Sequence, residues 1–244
     1  MKLPLLPRNI VRIGDNEPFN FACHQKVHCF TDCCRQLDLT LTPYDVLRLK
    51  NRLNMTSGEF LDRYVIIEQD QDDVFPRLYL TMVDDGKASC VFVTGVGCSV
   101  YPDRPGACRA YPMGRASMRK SDNNVEEYYV LLNEEHCKGF SEPAHQTPTQ
   151  YCRAQGLDKY NDMNDALVPV LQHEKIRKGM RLNAEQVKLF VLVLYDLDTF
   201  REKLFSGALD GETLTARERE LLEDDEKLLL FGIDWLEQQF FTNG

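Results

Sequence analysis

The sequence predicts an α+β chain, with a cysteine-rich N-terminal half of helices, loops and a small antiparallel sheet packed with C-terminal helices. Three observations lead there. Apolar residues recur at helical spacing after residue 42 and again from about residue 147 onward. Between these stretches, RLYLTMV (77–83), ASCVFVTG (88–95) and VEEYYVLL (125–132) read as strands bounded by turn residues. Eight of the nine cysteines fall within the first 137 residues, beside turns, and avoid the most apolar helical segments.

In chain order, residues 1–20 carry little periodicity and read as a lead-in coil. The first cysteine group follows in FACHQKVHCFTDCCRQ. Thr42 then offers a helix cap, with Pro43 in the first turn and Asp45 three residues on; Val46, Leu49 and Leu53 share a face. Thr56 and Glu59 form a second capping-box signature, ahead of Phe60, Tyr64 and Ile67 on one stripe. Asp84-Asp85-Gly86-Lys87 reads as the turn of a hairpin. GCSVYPDRPGACRAYPMG is rich in Pro and Gly and reads as loop, with a helical turn after Asp103.

Thr147-Pro148 opens the helical half. Ala166, Val170 and Ile176 sit in a periodic stretch broken by Pro169. Asn183 opens the clearest helix, apolar on nearly every side and therefore central. Thr215 opens the last helix, with the run Glu223-Asp224-Asp225-Glu226 expected on its solvated face. Residues 1–146 thus form a cysteine-cluster metal-binding region and residues 147–244 a helical region. No Gly-, Ser- or Pro-rich linker separates them, so both are expected in one domain.

A hydrophobic fraction of 43% and a charged fraction of 27% are those of a folded chain rather than a disordered one. A net charge of -9, without any basic run, argues against nucleic acid as a partner. The longest apolar runs, 189–195 and 228–233, fall far short of the roughly 18–20 residues that cross a membrane. The opening MKLPLLPRNI has too short an apolar stretch for a signal peptide, and Pro4, Pro7 and Arg8 interrupt it. A cytoplasmic address is expected, where disulfides are rare, and an odd number of cysteines argues further against complete pairing.

The cysteines therefore point to a metal. Cys23, Cys29, Cys33, Cys34, Cys90, Cys98, Cys108 and Cys137 are the candidate ligands. Their intervals are five, three, zero, 55, seven, nine and 28 residues, none a usual zinc knuckle. Iron–sulfur clusters accept thiolates from widely spaced loops, which favours an iron–sulfur cluster over zinc. Either centre places net negative charge inside protein, and Arg35, Arg104 and Arg109 are positioned in the sequence to offset it. His24, His28 and His136 adjoin or nearly adjoin cysteines, but eight thiolates already suffice for two four-coordinate sites. Cys152 reads as a core residue, and His145 and His173 as surface groups.

The segments C-x5-C-x3-C-C, C-x7-C-x-V-Y-x2-R-P-x2-C-R-x-Y-P and E-x-C-K-G-F together resemble the YkgJ-type cysteine-cluster family over residues 20–140. That family is described as a zinc- or iron-chelating domain and is sometimes labelled an iron–sulfur oxidoreductase. Its usual first spacing is tighter, and His24 to His28 lengthen it here. A related cysteine motif occurs in flagellin lysine N-methylases. Three functions follow as expectations. The first is a metal-binding protein with an electron-transfer, assembly or sensing role. The second is a cluster-dependent enzyme, either an oxidoreductase or a protein lysine methylase. The third is a structural zinc module that presents helices to a protein partner. No dinucleotide-binding G-x-G-x-x-G, H-E-x-x-H or G-x-S-x-G motif is present.

Overall fold

The computed structural model describes residues 7–119, 125–209 and 214–242. The architecture is α+β: many helices accompany several small antiparallel sheets. By contact the chain forms two compact units, each assembled from separate stretches. One takes residues 1–37, 82–101 and 106–158; the other takes 38–81, 102–105 and 159–244.

The first unit holds all nine cysteines. Its three-stranded antiparallel sheet has Val125–Leu132 at the centre, flanked by Ile10–Ile13 and Met113–Arg119. The residues expected to be a lead-in coil therefore include a strand. IVRI is too short to declare itself by alternation; pairing with the open edge of the longer central strand is what makes it one. Phe19–Asn20 also pairs, with His145–Gln146. A core of Ile13, Phe19, Phe21, Met113, Leu131, Tyr151, Cys152 and Leu157 lies beneath. Cys152 is thus buried, as its sequence context implied. It sits on the helix Pro148–Gln155, whose start is fixed by a Thr147–Gln150 capping box.

The expected hairpin over 77–95 is replaced by two pairings. Arg77–Leu80 pairs with Val65–Glu68, while Met82–Val83 pairs with Ser89–Cys90 across the turn. The run changes partner at Thr81, whose amide donates to the Tyr64 carbonyl at 2.8 Å. Ile67, expected on a helical stripe with Phe60 and Tyr64, stands instead in a strand with Val65 and Ile66. Their branched side chains lose rotamer freedom in a helix and fit a pleated strand, so the helix ends at Tyr64.

The second unit packs helices around Leu49, Phe60, Leu194, Phe200, Leu228, Leu229 and Leu236, all essentially inaccessible to solvent. Both N-terminal capping boxes, Thr42–Asp45 and Thr56–Glu59, form as the sequence implied. The helix expected from Asn183 is two, Ala184–Leu194 and Leu197–Ser206. Between them Asp196 accepts from the Ser57 hydroxyl at 2.8 Å, and Asp198 accepts from the Ser57 amide at 2.7 Å. At Gly232 the helix Asp225–Phe241 comes so close to Ala184–Leu194 that an added Cβ would stand 2.8 Å from Val193 Cγ1.

Half of the acidic run 223–226 departs from the solvated-face reading: Glu223 and Asp224 are exposed, whereas Asp225 and Glu226 are half-buried. The final helix is split there, into Ala216–Leu221 and Asp225–Phe241, and Asp224 caps the second piece by accepting from the Lys227 amide. Asp225 bridges two cations, Lys50 at 2.9 Å and Arg201. Glu226 accepts from the Tyr44 hydroxyl at 2.8 Å and pairs with Lys159. Lys50 is itself buried, and its ammonium also reaches Asp198 at 3.1 Å. Long-range partners for these acids lie about 180 residues away in sequence, beyond what local patterning reports.

Candidate metal centre

All nine cysteines lie among the described residues, and all are thiols rather than disulfides. Cys23 is exposed, Cys152 is buried, and the other seven are partly buried. Tight backbone produces this placement. Thr31 takes φ 70° just before the short 3-10 turn Asp32–Cys34, and Gln36 takes φ 52° after it. Two left-handed residues around a three-residue turn direct the tandem cysteines without a regular helix. Ala88, with φ 47°, does the same ahead of Ser89–Cys90, and Cys98 closes the two-residue ladder of Val93–Thr94 with Gly97–Cys98.

Four thiols line one pocket: Cys23, Cys29, Cys33 and Cys137, together with Tyr111 and His136. The pocket opens to solvent, and its cavity volume is small, about 20 Å³. The chain segments around it are stitched by their backbones. The Ala22 amide donates to the Gly139 carbonyl at 3.1 Å, and the Lys138 amide donates directly to Cys29 Sγ at 3.1 Å. Cys33 is the junction to the remaining thiols. It is hydrogen-bonded to Cys34, and it lies close enough to both Cys137 and Cys90 for their charges to be felt. Cys90 in turn neighbours Cys98 and accepts from the Phe92 amide at 3.5 Å. Cys108 sits partly buried in the helix Gly106–Ala110 and is not in the pocket lining.

Electrostatics follow from this crowding. The hydrogen bond to Cys34, followed by burial, drives the Cys33 thiol far above the ordinary thiol range. Burial raises Cys90 and Cys137 as well, although the Gly139 amide and the Tyr111 hydroxyl pull Cys137 back. Thiolates this close repel one another unless a cation lies between them. Among the described residues no group of three or more His, Cys, Asp or Glu stands arranged to hold a metal ion. The donor chemistry nevertheless fits a thiophilic metal: several sulfurs on adjacent turns, two of them already accepting backbone N–H bonds.

Of the three arginines, Arg35 donates to the Thr31 carbonyl at 2.7 Å and pairs with Asp32, next to the tandem cysteines. Arg109 donates to the Gln155 carbonyl at 2.8 Å. Arg104 is buried and belongs to the second unit, where its carbonyl accepts from the Tyr160 hydroxyl. His24 is exposed and pairs with Glu142 at 3.2 Å, and His28 is exposed.

Sequence reasoning passed over Tyr111, Glu134 and Gly139. The Tyr111 hydroxyl donates to Glu134 at 2.7 Å, and its ring stacks with His136 at 6.5 Å. Tyr111 follows Cys108 in the R-P-x2-C-R-x-Y-P segment, which was the available signal. An added Cβ at Gly139 would stand 2.4 Å from Phe21 Cε2 and 2.8 Å from the Ala22 carbonyl oxygen. The ring can tilt, but the backbone cannot retreat without dragging Cys23. Gly139→Ala should therefore cost about 1–3 kcal/mol by urea unfolding, the range for overpacking. A loss below about 0.5 kcal/mol would show that the loop is not held there.

Comparison with protein families decides the kinship. Residues 22–161, more than half of the chain, match the model named CxxCxxCC and described as "Putative zinc- or iron-chelating domain". The chain belongs to this family. Its name spells C-x2-C-x2-C-C, whereas here the corresponding cysteines read C-x5-C-x3-C-C. No curated protein and no solved structure matches the chain. No helix among the described residues is long and apolar enough to cross a membrane.

Proposed function

We propose that this family member is a thiolate metal-centre protein in which Cys23, Cys29, Cys33, Cys34, Cys90, Cys98, Cys108 and Cys137 supply the ligands. An iron–sulfur cluster suits their spacing better than zinc. The proposed role is electron transfer, cluster assembly or sensing rather than a committed catalytic step. The observation that carries this reading is the pocket itself: Cys23, Cys29, Cys33 and Cys137 line one cavity although 114 residues separate the first from the last. Burial of apolar sulfur alone does not account for them, because Cys23 is exposed and the others stay only partly buried.

Loading would require the half-buried thiols to converge on one ion or cluster. It would also expel the thiol protons, since a metal ligand is the thiolate. Arg35 and Arg109 are the proposed compensation for the resulting charge. When bound, the group supplies redox or Lewis-acid chemistry. This chain's residues exclude bulk water on the protein side and donate N–H bonds to sulfur.

Anaerobic purification followed by metal and acid-labile sulfide analysis tests the proposal. Brown protein carrying iron and sulfide in similar amounts is the expected result. Colourless protein with stoichiometric zinc would replace the cluster by zinc, and protein without stoichiometric metal would overturn the reading.

A further inference from the structure

In the second unit one strand edge stands open. Val65–Glu68 pairs with Arg77–Leu80, whose other side is taken by residues 39–41: Thr40 bridges Tyr79, and the Leu41 amide donates to the Leu78 carbonyl at 2.7 Å. Among the described residues no strand pairs with the outer side of Val65–Glu68. The Thr81 amide bonds to the Tyr64 carbonyl, so antiparallel alternation turns the backbone groups of Tyr64, Ile66 and Glu68 towards Arg77–Leu80 and those of Val65 and Ile67 outward. The Val65 amide is already given to the Leu61 carbonyl. The outward set is then the Val65 carbonyl and both the amide and the carbonyl of Ile67.

The side chains along this edge are apolar on both faces. Ile67 stands opposite Leu78, on the face where Leu78 and Leu80 are buried, yet it remains 48% exposed. Ile66 stands opposite Tyr79 on the other face and is also 48% exposed. Edge strands are ordinarily guarded by lysine, proline or a bulge, and Tyr64-Val65-Ile66-Ile67 carries no lysine or proline. Charge marks its two ends instead. The Arg63 guanidinium lies over the Tyr64 ring, 5.3 Å from its centre, where the strand begins, and Glu68 and Asp70 stand where it finishes.

We propose that this edge pairs with the same edge of a second copy of the chain, antiparallel about a two-fold axis at Ile67. Such an axis makes the contact self-complementary. Ile67 of each copy exchanges both N–H···O bonds with Ile67 of the other, and the two side chains meet on the buried face. The Arg63 end of each strand comes against the acidic end of its copy, whereas a parallel copy would set like charges together. An edge of four residues buries less than the roughly 1,200 Å² of stable interfaces, so the dimer should be weak, with a dissociation constant on the order of 100 µM. The inference is independent of the metal reading.

Sedimentation of the full chain in reducing buffer from about 10 to about 500 µM tests this, a range that brackets such an affinity. Hydrogen exchange is read at both ends of the range. The expected result is a monomer–dimer equilibrium, with the Ile67 amide exchanging more slowly at the higher concentration. Ile67→Pro deletes an outward N–H and keeps the backbone extended, so the ladder to Arg77–Leu80 should stand while the dimer is lost. Ile67→Lys should also abolish the dimer, by setting two ammonium groups against each other. Arg63→Glu should weaken it at low salt, and adding Glu68→Lys should restore it. A chain that is monomeric throughout would overturn the inference and leave the edge to a different partner. A dimer that survives both Ile67 variants, or that leaves the Ile67 amide exchanging at the same rate, would overturn it as well. Should Ile67→Pro fail to fold by circular dichroism, Ile67→Lys decides.

Discussion

Cys33→Ser should abolish most metal binding, with a loss in affinity well beyond the ~10–100-fold typical of outer-shell changes. Cys33 is chosen because it shares the pocket lining with Cys137 and adjoins Cys34, with Cys90 within electrostatic reach. Serine is close in size, but its hydroxyl stays protonated at neutral pH and is a poor ligand for a soft metal. The matched control is Cys152→Ser. Cys152 is buried in the core beside Tyr151 and Leu157, away from the pocket lining. Burying a hydroxyl there should cost about 1–3 kcal/mol and leave metal content unchanged. Because a ligand set rarely exists in an unfolded chain, metal binding also contributes folding free energy. Hydrogen exchange on chelated protein should therefore show lost protection over 21–37, 88–101 and 133–142, with the Asp225–Phe241 helix still protected. Metal content that is equal in Cys33→Ser and Cys152→Ser would mean that the cysteines are packing residues.

Lys50→Ala should destabilise the second unit by about 3 kcal/mol. The ammonium is buried and bridges Asp198 and Asp225 at 3.1 and 2.9 Å. Removing one member of a buried ionic group leaves the rest unpaired, which costs about 3–5 kcal/mol. The low end applies because the two carboxylates keep partial solvent contact and both also pair with Arg201. Urea unfolding at pH 7 checks the figure, and a loss under 1 kcal/mol would sink it. Acid supplies an independent check. For Asp198 and Asp225, burial pushes the pKa up, but it is more than offset by hydrogen bonds: the Ser57 amide and Lys50 for Asp198, Arg201 and Lys50 for Asp225. Both acids therefore sit below their usual values. A depressed carboxylate contributes stability that is fully present above its unfolded pKa, near 3.9, and is lost as pH falls through the lower folded value. Stability of the unaltered protein should thus fall as pH drops below about 4, and Lys50→Ala should flatten that fall.

Much of the local structure was legible in the sequence. Capping boxes at Thr42, Thr56, Thr147, Asn183 and Thr215 all form. They could be read because a cap, its N3 partner and the helix they start lie within four residues, and the energetics are equally local. The strand 125–132 announced itself by length and composition, and the cysteine-rich motifs by residue type and spacing. The metal-chelating kinship was therefore written in the sequence alone.

What the sequence left open was decided by partners distant along the chain. Residues 65–67 became a strand because Arg77–Leu80 offered an edge. The expected lead-in became one because the central strand offered another. Asp225 and Glu226, half of the acidic run expected on a solvated face, were drawn into a half-buried ionic network by Lys50, Arg201 and Tyr44. The helix break at Asp196 likewise follows from where that carboxylate finds a donor. In the pocket, spacing named the thiols, but only folding placed Tyr111 in the lining beside them. The physical reason is common to all of these. Capping and periodicity are set by neighbours a few residues apart, whereas strand pairing, charge burial and hydrogen bonds to sulfur depend on contacts that only chain closure creates.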